Sequence, residues 1–219
     1  GATGRVGSAV VNALLKRYGT DNNVFLLTRD VAKAEAMHSG VQCLPAAAYD
    51  DVDALDAAFS GVPDGFRLFL ACSNGPTQAT LESNICRAAH KAGCSYAVKL
   101  STASAVLKMQ AGGPYAAHLE VEELLRQLSI PHAVLRPNLF IDEITLGGFL
   151  GVCGPLKESD TCSHPFAESP ISAVDVRDVG EVAAALLASE ATEPEGSVDG
   201  VLLDVTGPAA IQLGVELAQ

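Results

Sequence analysis

Between positions 5 and 18 apolar side chains fall at Val6, Val10, Ala13 and Leu14, the spacing of one helix face, and Gly19 closes the run. The period then changes. "NVFLLT" at 23–28 is a short continuous apolar run between polar turn residues, as a strand buried on both faces should be. The alternation repeats with a helix near 30–38, strand "VQCL", a helix near 51–59, strand "RLFLAC", a helix near 77–92, strand "YAVKLS", a helix near 115–129 and strand "HAVLR". Strands alternating with helices predict right-handed βαβ crossovers. The expected class is therefore α/β: a doubly wound, mostly parallel sheet with helices on both faces.

Beyond Pro137 the rhythm loosens, with glycines at 147, 148, 151 and 154 and several prolines up to Pro170. This stretch, 138–172, is expected to hold a short helix and long loops capping the substrate side of one domain spanning 1–219. Asp175, with Asp178 three residues on, precedes "VGEVAAALL" and predicts a capped helix. "VLLDV" then reads as a strand, "TGP" as a turn and "IQLGVELAQ" as a helix cut short. The opening "GATGRVG" reads as the turn that joins a first strand to a first helix, and in a doubly wound sheet that strand lies between two others. No strand precedes it here. The chain is accordingly expected to be a fragment lacking strand 1 and trimmed at both ends.

Charge narrows the partners. The 14 basic against 26 acidic residues give a net charge of −12, which opposes binding to nucleic acid or anionic membrane surfaces. No apolar run approaches a membrane span and no basic-then-apolar leader is visible. The 6 cysteines follow no CxxC or zinc-ligand spacing, which predicts free thiols in a reducing, cytoplasmic setting and no metal site.

Candidate chemistry clusters at the predicted strand ends. Gly1, Gly4 and Gly7 are spaced GxxGxxG: a tight turn, close backbone approach to pyrophosphate and close helix packing all require a residue without Cβ. Strand 2 ends "TRD". Thr28 and Arg29 fall where the ribose 2′ group of a dinucleotide should lie, and a guanidinium there favours NADP(H) over NAD(H). Asp30 reads either as an acceptor for a free 2′-OH or as the cap of the next helix. "ACSN" at 71–74 offers small and polar residues beside the cofactor path, with Cys72 read as structural rather than reactive. Lys99 and Ser101 share one face of their strand, and Ser101 is a candidate neighbour of the nicotinamide. On the helix near 115–129, Tyr115, His118 and Glu122 stand out; His118 and Glu122 share a face and could interact.

These blocks together, "GATGRVG", "TRD", "AHLEVEELLRQLSIPHAVLRPNLF", "PISAVDVRDVGEVAAALL" and "DVTGP", resemble the NmrA-like family of atypical short-chain dehydrogenases/reductases over nearly the whole chain. The resemblance implies an NAD(P)-binding Rossmann fold with a small C-terminal part closing over the cleft. It implies that Gly1, Ala2, Thr3, Gly4, Arg5, Val6 and Gly7 hold the pyrophosphate, Arg29 the 2′-phosphate, and that Ala71, Cys72 and Ser73 pass along the cofactor. His118 falls where some relatives place a cofactor-binding lysine, and Pro137, Asn138 and Phe140 would line the nicotinamide and substrate side. One departure bears on mechanism. The wider superfamily uses Tyr-x-x-x-Lys, whereas Tyr115 is followed four residues later by Leu119. Two functions follow as expectations: an NADPH-dependent oxidoreductase on a quinone-like acceptor, with His118 as a candidate catalytic group and Tyr115 a weaker one, or a non-catalytic NADP(H) sensor with a regulatory protein partner. An epimerase or dehydratase is disfavoured because it too depends on the missing pair. Oligomeric state and substrate are not legible.

Overall fold

The two faces of strand β4 (Tyr96–Leu100) organise the molecule. Side chains alternate along a strand, and here Tyr96 and Val98 enter one apolar cluster while Ala97 enters another. The first cluster is closed by α1 (Arg5–Tyr18) and α8 (Val176–Ala188), the second by α3 (Val52–Phe59), α4 (Gln78–Lys91) and α6 (Ala116–Gln127). Helices therefore cover both faces of a parallel sheet, as the uniformly apolar strands predict. The computed structural model describes residues 1–19, 24–109, 115–145, 169–189 and 199–212.

Strand β3 (Arg67–Leu70), β4, β5 (His132–Pro137) and β6 (Val201–Val205) pair in that order, all parallel. The register sets Leu70 and Val134 beside Lys99. Strands β1 (Phe25–Thr28) and β2 (Gln42–Pro45) form a separate parallel pair. Among the described residues no strand joins the two sheets. Between them lies a cavity of about 620 Å³, lined by side chains such as Val10, Leu26, Leu68 and Leu70, with Gly1 and Ala71 also on its wall.

Capping matches the sequence signals. Asp30 accepts from the Lys33 N–H to start α2 (Val31–Met37), Asp51 from Ala54 to start α3, and Asp175 from Arg177 to start α8. Arg67 reaches from β3 to the Leu187 and Ser189 carbonyls at the end of α8, where a cation also favours the helix dipole.

Two expectations are corrected. The sequence pattern predicts no helix between β4 and α6, yet α5 (Ser104–Met109) forms there. Its cap is tertiary: the Ser104 N–H donates to Asp204 Oδ1 of β6 at 3.0 Å, which no local pattern could announce. The helix expected from 211 does not begin there; Ile211 exchanges two 2.8 Å backbone hydrogen bonds with Ile171 in an antiparallel bridge, and 213–219 lie outside the described residues. The short helix expected after Pro137 is α7 (Ile141–Thr145), and the glycine-rich stretch 146–168 also lies outside them.

Helices α1 and α8 cross closely because Gly180 carries no side chain. A Cβ there would sit 2.7 Å from the backbone carbon of Ala9. Gly180→Ala should therefore destabilise the fold by about 1–3 kcal/mol, the usual cost of overpacking. Urea unfolding would measure it, and an unchanged midpoint would mean the helices separate freely.

Candidate functional site

The glycine turn packs backbone on backbone. A Cβ on Gly1 would lie 2.2 Å from the Ala71 carbonyl oxygen, and one on Gly7 2.1 Å from the Gly1 carbonyl oxygen, whereas Gly4 is less tightly held. Helix α1 starts at Gly4 with no side-chain cap, so the N–H groups of its first turn are left for an outside acceptor. Such a turn cradles an anion such as pyrophosphate without any charged side chain. Ala2 and Thr3 are half-buried beside it, and Val6 is committed to the core. Arg5 turns away toward α7, pairing with Asp142 at 3.1 Å and with Glu143.

At the end of β1 the "TRD" residues part company. Thr28 is buried and folds its hydroxyl onto the backbone of Asp30, donating to the carbonyl at 3.0 Å and accepting from the N–H at 3.1 Å. Asp30 is the α2 cap, so its Oδ1 is engaged. Arg29 is exposed, and among the described residues no carboxylate pairs with it. Its guanidinium lies 5.4 Å over the Tyr49 ring, and Tyr49 is itself buried and donates to the Leu27 carbonyl at 3.3 Å. No local sequence pattern marks Tyr49 as part of the site.

After β3 the chain passes Ala71 and Cys72, both half-buried, to the exposed Ser73. Burial, and then the Glu82 carboxylate, push the Cys72 thiol above its ordinary value, so it is a thiol and not a reactive thiolate at neutral pH.

Behind this edge lie two buried polar networks. In the first, the Ser101 hydroxyl donates to Glu122 at 2.6 Å, and Arg136 donates to the other Glu122 oxygen at 2.5 Å and to the Ser104 hydroxyl at 3.0 Å. In the second, the fully buried Lys99 ammonium lies 3.1 Å from Glu82 and 3.2 Å from His118 Nδ1, and also donates to the Leu100 carbonyl. Glu82 in turn accepts from the Cys72 N–H at 3.0 Å. The Gln78 amide lies 3.3 Å from His118 Nδ1, while Gln78 Oε1 is buried with no partner. Tyr115 stacks on the His118 ring with centroids 6.4 Å apart.

The expected pairing of His118 with Glu122 is thus not made: each is held by a different network. Ser101 has its hydroxyl on Glu122, and His118 is buried beneath Tyr115 rather than standing open. Pro137 is buried at the end of β5, Asn138 Oδ1 accepts from the Leu139 N–H at 2.8 Å, and Phe140 bridges to Val174. Gln78, Glu82 and Arg136 escaped the sequence reading. A signal for the first two existed, since Gln78, Glu82, Ile85 and Ala89 fall on one helix face, and polar residues on an otherwise apolar face must find polar partners in the core.

Among the described residues no group of three or more His, Cys, Asp or Glu side chains is arranged to hold a metal, and no helix is long and apolar enough to cross a membrane. The model of the NmrA-like family matches residues 1–213. A (4-alkanoyl-5-oxo-2,5-dihydrofuran-3-yl)methyl phosphate reductase from Streptomyces griseus is 29% identical over 219 residues, covering 100% of this chain and 70% of that protein. Among solved structures, an NADPH-dependent quinone oxidoreductase from Escherichia coli, complexed with NADPH, superposes with a TM-score of 0.81 at 24% identity, over 100% of this chain and 71% of the other. The Citrobacter triphenylmethane reductase complexed with NADP(H) superposes with a TM-score of 0.79 at 22% identity, over 100% and 72%.

Burial, and then the nearby Lys99 ammonium, lower the His118 pKa from the ordinary 6.5 to about 3. The folded chain therefore keeps this ring neutral where the unfolded chain would protonate it. Stability from this group is whole above about pH 6.5 and is lost as the pH falls toward about 3, at up to about 1.4 kcal/mol per pH unit. The difference between the natural chain and His118→Gln in urea melts across that window should carry this slope; a flat difference would place the imidazole in water.

Proposed function

This chain belongs to the NmrA-like family, and we propose that it is an NADPH-dependent oxidoreductase acting on a conjugated, quinone-like acceptor. The observation that carries the cofactor half is the division of labour at the end of β1: Arg29 is exposed, with no carboxylate partner among the described residues, and Asp30 is engaged as a cap. A guanidinium with no carboxylate partner suits a 2′-phosphate, while one oxygen of the acidic group that would receive a 2′-OH is already held by the α2 cap. The glycine turn fits a pyrophosphate, because the N–H groups of the first turn of α1 have no side-chain cap and Gly4 sets no side chain in front of them. A bound nicotinamide supplies the hydride.

The acceptor half rests on the residues at the sheet edge and on the relatives. Leu119 stands where a Tyr-x-x-x-Lys lysine would be, so these residues offer no strong acid for an unactivated carbonyl. A conjugated acceptor makes a smaller demand, since its charge after hydride addition is spread over the π system and water can protonate it. The quinone and unsaturated lactone in the relatives' names are acceptors of this kind. Orientation would then supply most of the rate.

The sensor reading is favoured by a different observation. Lys99, Glu82, Ser101 and Glu122 are buried and spent on one another or on His118 and Arg136, which is how a binding site without chemistry would also look. Calorimetry with NADPH and NADH, followed by NADPH absorbance after adding a simple quinone, separates the two. Binding with steady oxidation supports the reductase; binding without oxidation supports the sensor. Arg29→Ala should weaken NADPH at least tenfold and leave NADH nearly unchanged. Equal losses would remove Arg29 from the 2′-phosphate.

A further inference from the structure

The buried cluster behind the cleft has a fixed polarity. An ammonium has three N–H donors and no acceptor. All three of Lys99 are spoken for, by Glu82, by the Leu100 carbonyl and by His118 Nδ1 at 3.2 Å. An Nδ1 that receives a hydrogen bond from an ammonium must present its lone pair. The proton of a neutral ring is then on Nε2. A second proton would set an imidazolium against the ammonium in a site from which both are shielded, as Lys99 is fully buried and His118 nearly so.

The groups around the ring agree. From α4, Glu82 is already opposite Lys99, and Gln78 brings an amide; from α6 itself, Tyr115 brings only its ring face, and Glu122 is one turn away on Ser101 and Arg136. Among the described residues no carboxylate is bonded to the ring to stabilise an imidazolium. Gln78 faces the ring with its NH2 while its Oε1 is left buried and unpartnered. The Gln78 nitrogen lies 3.3 Å from Nδ1 and 3.5 Å from Nε2; the two ends of an amide are alike in shape, and turning it end for end sets Oε1 at the ring within reach of both nitrogens, of which only Nε2 has a hydrogen to give. The unmet amide oxygen is thus within reach of the one donor whose position Lys99 dictates, while Nδ1 is taken by Lys99 itself.

We propose that Lys99 is a positioning residue that fixes His118 as the neutral Nε2–H tautomer, so that His118 serves the cleft as a hydrogen-bond donor to an oxygen and not as its acid. The superfamily lysine absent at Leu119 is in this sense replaced from the strand. Lys99 comes from β4 instead of from the helix and acts through the imidazole. The oxygen addressed is that of Gln78 until a ligand oxygen, a carboxamide or a quinone carbonyl, takes its place. This inference rests on the reductase reading only for the identity of that ligand.

Nitrogen-15 NMR of the histidine side chains in the full-length protein, without cofactor, tests the tautomer directly. His118 should give a protonated Nε2 and an unprotonated Nδ1, unchanged from pH 8 to pH 5. A protonated Nδ1, or titration within that range, would overturn the proposal. Lys99→Met alone would strand Glu82, so the informative variant is Lys99→Met with Glu82→Gln, which removes both charges together. In it the His118 signals should become a tautomer mixture and titrate at least one pH unit higher, and kcat with a quinone should fall about tenfold while the KM for NADPH holds. An unchanged His118 spectrum in this variant would show that Lys99 positions nothing. A correct tautomer in a protein that oxidises no NADPH with any quinone would sink the reductase reading and leave the positioning role standing.

Discussion

The pair formed by Lys99 and Glu82 is the constraint to which the cofactor edge is tied. Both side chains are fully buried, and removing two charges from water costs several kcal/mol each unless every donor and acceptor is met. The pair answers most of this demand by drawing in its surroundings, the Leu100 carbonyl at the end of β4, the Cys72 N–H after β3 and the imidazole of α6, and leaves Glu82 Oε2 to the charge of Lys99 alone. Two of those partners are backbone groups at strand ends, and the third is a ring on the neighbouring helix. A hydrophobic pair of similar volume could have packed the same layer, so the charges are better explained by the orientation they impose than by stability.

That orientation is relayed along the edge by the second network. Glu122, one turn beyond His118, ties α6 to Ser101 after β4 and to Arg136 at the end of β5, and Arg136 continues to Ser104, whose N–H is capped by Asp204 of β6. The strand ends, three in number along this path, are thereby cross-linked by side chains where their ladders run out. Open parallel sheets bind ligands at this edge. A rigid edge lets the exposed groups, the glycine turn and Arg29, be few.

The alternation of elements and the glycine turn were legible because they are local: a helix face needs apolar residues at fixed spacing, and a Cβ on Gly7 would lie 2.1 Å from the carbonyl oxygen of Gly1 in the same turn. The caps at Asp30 and Asp175 were legible for the same reason. What stayed hidden depends on distant partners. Helix α5 owes its start to a residue a hundred positions away. Tyr49 matters only because Arg29 folds over it, and although Gln78 and Glu82 stand out on an apolar helix face, their partners, His118 for the one and Lys99 for the other, come from elements that no local pattern links to that helix. His118 and Glu122 look like partners on a helical wheel, yet each has a better one on the sheet.

The division between the two networks also explains why a histidine can occupy a site where a lysine would be natural. A lysine on α6 would bring a second ammonium to within reach of Lys99, and two like charges at that depth repel strongly. A neutral imidazole supplies a donor of fixed direction without adding charge, provided something settles which nitrogen carries the proton. Lys99 settles it from below, through Nδ1. The strand lysine and the helix histidine are therefore one choice: given the first, a polar group on the helix that offers an N–H toward the cleft has to be one that can stay neutral.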